Sequence, residues 1–249
     1  SLPGNWMMRC RVVVTGLGVV SPLGSGLDKF WRSLCEGRSA AGPITLFDAS
    51  EFSVRIAAEV TDFDLPVEVD RRRERRLDRY AQFGIGAALE AWDDAGISDH
   101  DAYSTGLVIG SSHGGETSSI EAMGQGSKPV SPFLIPRMLN NMAATQIAML
   151  LGLKGTSFAV ATACATGAHA VGEAMEVIRR GDAKVMLAGA AEACITPLTL
   201  VGDDALGALS KRNDDPAKAC RPFDRMRDGF VLGEGAAVLV LEDMEHAIA

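Results

Sequence analysis

Short apolar runs recur along this chain, separated by longer stretches whose apolar residues fall at helical spacing, and that alternation leaves few architectures open. The runs are residues 12–18 (VVVTGLG), 105–111 (TGLVIGS), 157–163 (SFAVATA), 184–190 (KVMLAGA) and 236–241 (AAVLVL), with a weaker alternating segment at 55–60. Near-continuous apolar runs of this length predict strands of a sheet covered on both faces. Between them, residues 27–37 place Phe30, Trp31 and Leu34 on one stripe and stop at a glycine. Residues 71–96 predict one long helix, and residues 137–151 an apolar one. Residues 166–180 carry Val171, Ala174, Met175 and Ile178 at i, i+3, i+4, i+7 and end on Arg179-Arg180-Gly181, a basic last turn before a glycine stop. Strands alternating with helices predict an α/β fold with a mixed, mostly parallel sheet.

Composition narrows the function. With 249 residues the chain is long enough for one large α/β domain. A formal net charge of −8 excludes a general nucleic-acid binder, whose affinity comes from neutralising phosphates. No apolar run approaches the ~20 residues of a membrane span, and residues 1–6 lack the basic start and apolar core of a signal peptide. The first eight residues read as an expression remnant and start, and the expected location is cytoplasmic. Cys10, Cys35, Cys164, Cys194 and Cys220 are odd in number and scattered, with no C-x-x-C pair, which argues against a disulfide framework. His100, His113, His169 and His246 are not paired at ligand spacing, so no metal centre is expected.

Two glycine-rich spots invite a nucleotide reading. Gly16-Leu17-Gly18 follows the first strand, but Ser21 stands where a dinucleotide loop has its third glycine. Ser111-Ser112-His113-Gly114-Gly115 follows the third apolar run with no Lys-Ser/Thr pair after it.

The residues with chemistry are Thr162-Ala163-Cys164-Ala165-Thr166-Gly167, where a strand turns into an amphipathic helix. A cysteine there feels the positive end of the helix dipole and free backbone amides, and both favour the nucleophilic thiolate. Its own N–H can serve as an oxyanion donor, and the small neighbours leave room for a carbonyl. Taken from placement alone, a buried, inert cysteine is the competing reading. An α/β-hydrolase elbow is excluded, since Thr162 and Thr166 stand where that elbow needs glycines.

Residues 12–23 (VVVTGLGVVSPL), 161–167 (ATACATG) and 221–242 (RPFDRMRDGFVLGEGAAVLVLE) resemble the β-ketoacyl-[acyl-carrier-protein] synthases, in particular the chain-elongating type II enzymes. The resemblance runs from Arg9 to the last residue and implies residues 9–249 as the N-terminal domain of a thiolase-like fold, one βαβαβαββ half, with the C-terminal half absent. It implies a decarboxylative Claisen condensation in fatty-acid or polyketide chain elongation, with Cys164 as the acyl-binding nucleophile. No cofactor is implied, because the phosphopantetheine arm arrives with the acyl carrier protein.

The same resemblance assigns partners and further residues. Arg71, Arg72, Arg75 and Arg76, in a run of like charges on a predicted helix, match carrier-docking positions, a solvated helix face being the alternative. His113 matches a loop position that gates acyl length, and its polarity argues against a long, fully aliphatic chain, a loop histidine facing solvent being the alternative. Phe133 matches an aromatic that lines the pocket from across a homodimer interface. His169 is expected to be packed or to cap a helix. Asp224, Arg227, Asp228 and Glu234 are expected to tie the C-terminal motif to the core, and Cys10, Cys35, Cys194 and Cys220 to be structural. The two histidines, the lysine and the gating phenylalanine that the family uses with malonyl-carrier protein belong to the other half, so this chain alone is expected to be inactive in condensation. A non-condensing partner subunit and a cysteine-dependent acyltransferase or thioesterase are the alternative functions.

Overall fold

The computed structural model describes residues 10–126 and 128–249, so the expected remnant at residues 1–8 and the start of the resemblance at Arg9 lie outside the described residues. The chain begins with β1 (Val12–Ser21), β2 (Gly24–Ser25), α1 (Leu27–Cys35), β3 (Gly42–Pro43), β4 (Ile56–Ala57), α2 (Arg71–Glu74) and α3 (Arg79–Asp94). It continues through β5 (Thr105–Gly110), α4 (Glu116–Gly124), α5 (Leu134–Met138), α6 (Met142–Leu151), β6 (Ser157–Phe158) and α7 (Thr166–Arg179). It closes with β7 (Val185–Glu192), α8 (Pro197–Ala205), β8 (Gly235–Asp243) and α9 (Met244–Ile248).

The main sheet has the order β2-β1-β8-β7-β5-β6. Strands β5, β6 and β7 are mutually parallel, and β8 is antiparallel to both β7 and β1. Thus β1, β5, β6 and β7 run one way, while β8, inserted between β1 and β7, runs the other. Stripped of its short excursions, the order β1-α3-β5-α6-β6-α7-β7-β8 is the expected βαβαβαββ half. One face of the sheet lies under α3, with α6 on β5, and the other under α7. Both cores are apolar: Phe83, Ile85, Leu107, Ile109 and Val238 on the α3 side, and Val108, Ala174, Ile178 and Met186 on the α7 side. Burial on both faces is why the strands read as unbroken apolar runs.

Gly16 and Gly18, expected to follow the first strand, lie within β1, paired with Val240 and Val238, and serve packing. A Cβ on Gly16 would lie 2.1 Å from the Ala91 carbonyl oxygen, and one on Gly18 would lie 1.9 Å from that of Ala87. Helix α3 rests directly on β1, so the space where a dinucleotide would approach is filled by backbone. The outer edge of β1 is blunted by α3 carboxylates: Leu17 N donates to Asp94 at 2.9 Å and Val19 N to Glu90 at 2.8 Å.

Several expected elements are shorter or broken. The long helix at 71–96 is two helices. Asp70 caps α2, accepting from Arg73 N at 2.7 Å, and the buried Asp78 caps α3. A continuous helix would stack the arginines at i, i+3 and i+4, where like charges repel. Arg71 and Arg72 lie on a single turn, with Arg75 and Arg76 in the connection. The helix at 137–151 is interrupted at Leu139, whose backbone is extended and whose carbonyl accepts from the Tyr80 hydroxyl. Of the strand at 157–163 only Ser157 and Phe158 join the ladder, at its edge; of 55–60, Ile56 and Ala57 pair in a separate ribbon with β3, and Ala58 makes a single bridge to Gly233. The α1 stripe is not covered, with Trp31 65% and Leu34 48% exposed.

Candidate active site

The segment between β6 and α7 places Cys164 at the surface, one residue before Ala165, which caps α7. Chain reversal occurs at Ala163, a non-glycine residue in the left-handed region at φ 50°. Such a conformation costs on the order of 1–3 kcal/mol and persists only where its surroundings enforce it. Here the enforcement comes from Thr166, which is buried: its Oγ1 donates to the Ala163 carbonyl at 2.7 Å and accepts from Thr162 N at 2.9 Å. Gly110, at the end of β5, lets this turn come close, since a Cβ there would lie 2.3 Å from Thr166 Cγ2. The competing reading of Cys164 as a buried thiol fails on its exposure. Buried Cys194 is the contrast: burial first, and then nearby Glu192, push its thiol up to about 12.

The loop after β5 forms one wall of this turn. Ser112 Oγ donates to the Ala163 carbonyl at 3.1 Å. The loop's amides do not wait for a phosphate, because Glu192 at the end of β7 occupies them. Ser112 N donates to Glu192 Oε2 at 2.8 Å, His113 N to Oε1 at 3.2 Å and Ser111 Oγ to Oε1 at 2.8 Å. His113 thus adjoins the residue that touches the Cys164 turn. Its ring is exposed, with Nδ1 3.7 Å from Glu192 Oε2.

An exposed cysteine on a strained strand-to-helix turn, with no acceptor for its amide among the described residues, is chemically able to accept an acyl group. The Beta-ketoacyl synthase, N-terminal domain model matches residues 9–247. The chain belongs to this family. Among the most similar relatives is the 3-oxoacyl-[acyl-carrier-protein] synthase 2 of Coxiella burnetii, 46% identical in an alignment that covers 97% of this chain and 60% of that protein. Among solved structures, a β-ketoacyl synthase from Burkholderia phymatum aligns with TM-score 0.86 and 35% identity over 96% of this chain and 60% of that one. The AntDE:AntF complex, a type II PKS acyl-carrier protein with its ketosynthase bound to the hexaketide, aligns with TM-score 0.80 and 34% identity over 97% and 60%. The chain spans about 60% of the length of the curated relatives it matches.

In this β-ketoacyl synthase domain the remaining residues divide into two groups. Arg71 and Arg75 line an open cleft of about 460 Å³ with Glu74, Leu77, Gln82 and Arg137. Arg72 is exposed beside them, and Arg76 stacks over the Phe133 ring at 4.5 Å. Phe133 is thereby brought to the arginine patch. It immediately precedes α5, whose far end accepts from Gly115 N through the Met138 carbonyl at 3.1 Å, so the patch and the His113 loop share one short helix. Arg137 was not visible as a cleft residue in the sequence, being about 60 positions from the arginine run with no motif around it. The same holds for Glu192, Ser112 and Thr166, which only folding brings together.

His169 is neither packed nor capping: it is exposed, with Nε2 3.4 Å from Glu173 one turn on, because its position on α7 faces away from the sheet. The C-terminal motif is tied down through Asp228, which accepts from Ser210 Oγ at 2.8 Å, and through Glu234, which pairs with Arg79. Asp224 accepts from Met226 N at 2.6 Å, while Arg227 Nη1, among the described residues, reaches only the nearby Asp224 carbonyl, at 3.1 Å. Cys35 and Cys220 are exposed, so among the four cysteines read as structural only Cys194 is a core residue. Among the described residues no group of three or more His, Cys, Asp or Glu side chains is placed to hold a metal ion, and no helix is long and apolar enough to cross a membrane.

Proposed function

We propose that Cys164 receives an acyl group from a carrier-bound thioester, as the first half of a 3-oxoacyl-[acyl-carrier-protein] synthase reaction. The observation that carries this reading is the exposed Cys164 on a left-handed turn at the start of α7, with its amide free of acceptors among the described residues. The thiolate attacks the thioester carbonyl carbon and the carbonyl oxygen becomes an oxyanion facing the Cys164 N–H. Collapse expels the carrier thiolate, which takes the proton Cys164 gave up. In the second half, malonyl-carrier loses CO2, its enolate carbon attacks acyl-Cys164, and the cysteine leaves as thiolate, giving a 3-oxoacyl-carrier. That step needs groups to stabilise the enolate. The resemblance assigns them none of the motifs in these 249 residues, and the 249-residue polypeptide stops at the acyl-enzyme.

The partner is an acyl carrier protein, whose acidic surface and phosphopantetheine arm meet the cleft of Arg71, Arg75 and Arg137 with Arg72 and Arg76 beside it. The relative solved with its carrier protein supports a partner of this kind. No resident cofactor enters the reaction, and we place it in the cytoplasm. Ser157 and Phe158, exposed on the sheet edge, pair with a second copy to give a homodimer, bringing Phe133 to the partner's acyl site. His113 sets the acyl preference towards chains that are short or carry polar groups.

Intact mass after mixing with acyl-carrier and malonyl-carrier proteins tests the reading. An acyl adduct that disappears in Cys164→Ala, with no 3-oxoacyl product, supports it. Release of free acid identifies a thioesterase, and no adduct at all identifies a non-condensing binding role.

A further inference from the structure

The carbonyl of Ala163 carries an unusual load. It accepts from Thr166 N at 3.0 Å, from Thr166 Oγ1 at 2.7 Å and from Ser112 Oγ at 3.1 Å. The two hydroxyls also lie 3.3 Å from each other, and the Thr166 hydroxyl is braced from the other side by Thr162 N at 2.9 Å. Ser112 is in turn fixed by its amide, which donates to Glu192 Oε2 at 2.8 Å. These groups converge on the peptide unit that joins Ala163 to Cys164. A trans peptide is planar, with its C=O and N–H pointing in opposite directions, so whatever fixes the Ala163 carbonyl also aims the Cys164 N–H. Donors on a carbonyl polarise its amide and strengthen the N–H on the same unit. The Cys164 N–H has no acceptor among the described residues.

We propose that Thr166 and Ser112 are positioning residues that act through the Ala163–Cys164 peptide, aiming and polarising the Cys164 N–H for the oxyanion of acyl transfer. The proposal rests on the reading of Cys164 as acyl acceptor. It assigns to the two hydroxyls a share of transition-state stabilisation, and to Glu192 the task of keeping Ser112 within reach.

Two reactions of the same sulfur separate this role from a general structural one. Acyl transfer from an acyl-pantetheine thioester passes through an oxyanion. Alkylation by iodoacetamide forms the S–C bond as the C–I bond breaks and iodide leaves, with no oxyanion. Both rates are measured on the 249-residue chain and on Thr166→Val, Thr166→Ser and Ser112→Ala. Since removal of an oxyanion donor costs ~10²–10³ in rate, a mis-aimed donor in Thr166→Val is expected to slow acylation by about tenfold or more. Alkylation stays within about twofold. Thr166→Ser, which keeps the hydroxyl, restores acylation, and Ser112→Ala shows a smaller loss in the same sense. Thr166 is buried, so should Thr166→Val fail to fold, the half-buried Ser112 decides the question alone. Equal slowing of both reactions, or acylation unchanged in Ser112→Ala and Thr166→Val, overturns the proposal. A wild-type chain that is alkylated but never acylated overturns instead the reading of Cys164 on which it stands.

Discussion

Arg79 and Glu234, 155 positions apart, form a two-pronged ion pair: Nε lies 2.9 Å from Oε2 and Nη2 lies 2.6 Å from Oε1. Glu234 is almost wholly buried, accepts from Val60 N at 2.9 Å as well, and stands in the C-terminal motif immediately before β8. Arg79 begins α3, donates to the Val60 carbonyl and lies over the Phe83 ring at 4.7 Å. The pair therefore joins the first helix of the core to the last strand. Removing one partner leaves a buried charge uncompensated, which costs about 3–5 kcal/mol. Arg79→Met is expected to lower the urea midpoint accordingly, and urea titration followed by circular dichroism measures it.

Gly18→Ala tests the assignment of the first glycine pair to packing. The new Cβ would be 1.9 Å from the Ala87 carbonyl oxygen, and backbone cannot rotate away as a side chain can. Overpacking of this kind costs about 1–3 kcal/mol or more. Thermal unfolding should report a loss at the upper end of that range.

The arginine patch predicts a split between substrates. Replacing Arg71, Arg72, Arg75 and Arg76 together by alanine is expected to lower kcat/KM for acylation from a carrier-bound thioester by about tenfold, since complementary charge acts on encounter and register. Acylation from acyl-pantetheine, which has no protein to dock, should be unchanged. Raising salt on the wild type should mimic the loss in part, because exposed charges are screened beyond about 8–10 Å at 0.1–0.15 M.

Acid lability should be visible at Asp243. The Cys10 thiol, the Glu245 amide and the Lys184 ammonium beside it hold its carboxyl down at about 2. An unfolded aspartate titrates near ~3.9, so the unfolded chain binds this proton first and the stabilisation is present above about pH 4. It fades as the pH falls towards the folded value. The difference in urea midpoint between wild type and Asp243→Asn should therefore shrink between pH 5 and pH 2.5, and a constant difference would contradict the assignment.

His113→Leu tests the polar gate. Replacing the imidazole by an aliphatic side chain is expected to raise acylation from long saturated acyl-carriers relative to short ones by roughly tenfold, the scale of one or two methylenes in a pocket. Competition between two chain lengths, read by intact mass, checks it.

The alternation of apolar runs and helical stretches determined the layered α/β sheet without any knowledge of contacts, because burial on both faces demands uninterrupted apolar strands. The motif at 161–167 likewise marked Cys164 as the candidate reacting residue, since a strand-to-helix turn with small neighbours is a local property, while the choice against an inert thiol came from the resemblance. Tertiary structure alone decided the rest. It broke the expected helix at 71–96, because Asp78 caps α3 while bonding Ser118 N at 2.8 Å, a partner 40 positions away. It showed Gly16 and Gly18 to be a seat for α3, although a G-x-G after a strand looks the same in sequence whether a helix or a phosphate fills the space. It filled the amides of the Ser112 loop with Glu192 and brought Ser112 and Thr166 onto one carbonyl beside Cys164. Spacing along the chain records which residues share a strand or a helix face, and so it singled out Cys164 as the candidate nucleophile. The groups that surround its turn come from the loop after β5, from β7 and from α7, and their meeting is fixed by sheet order and packing.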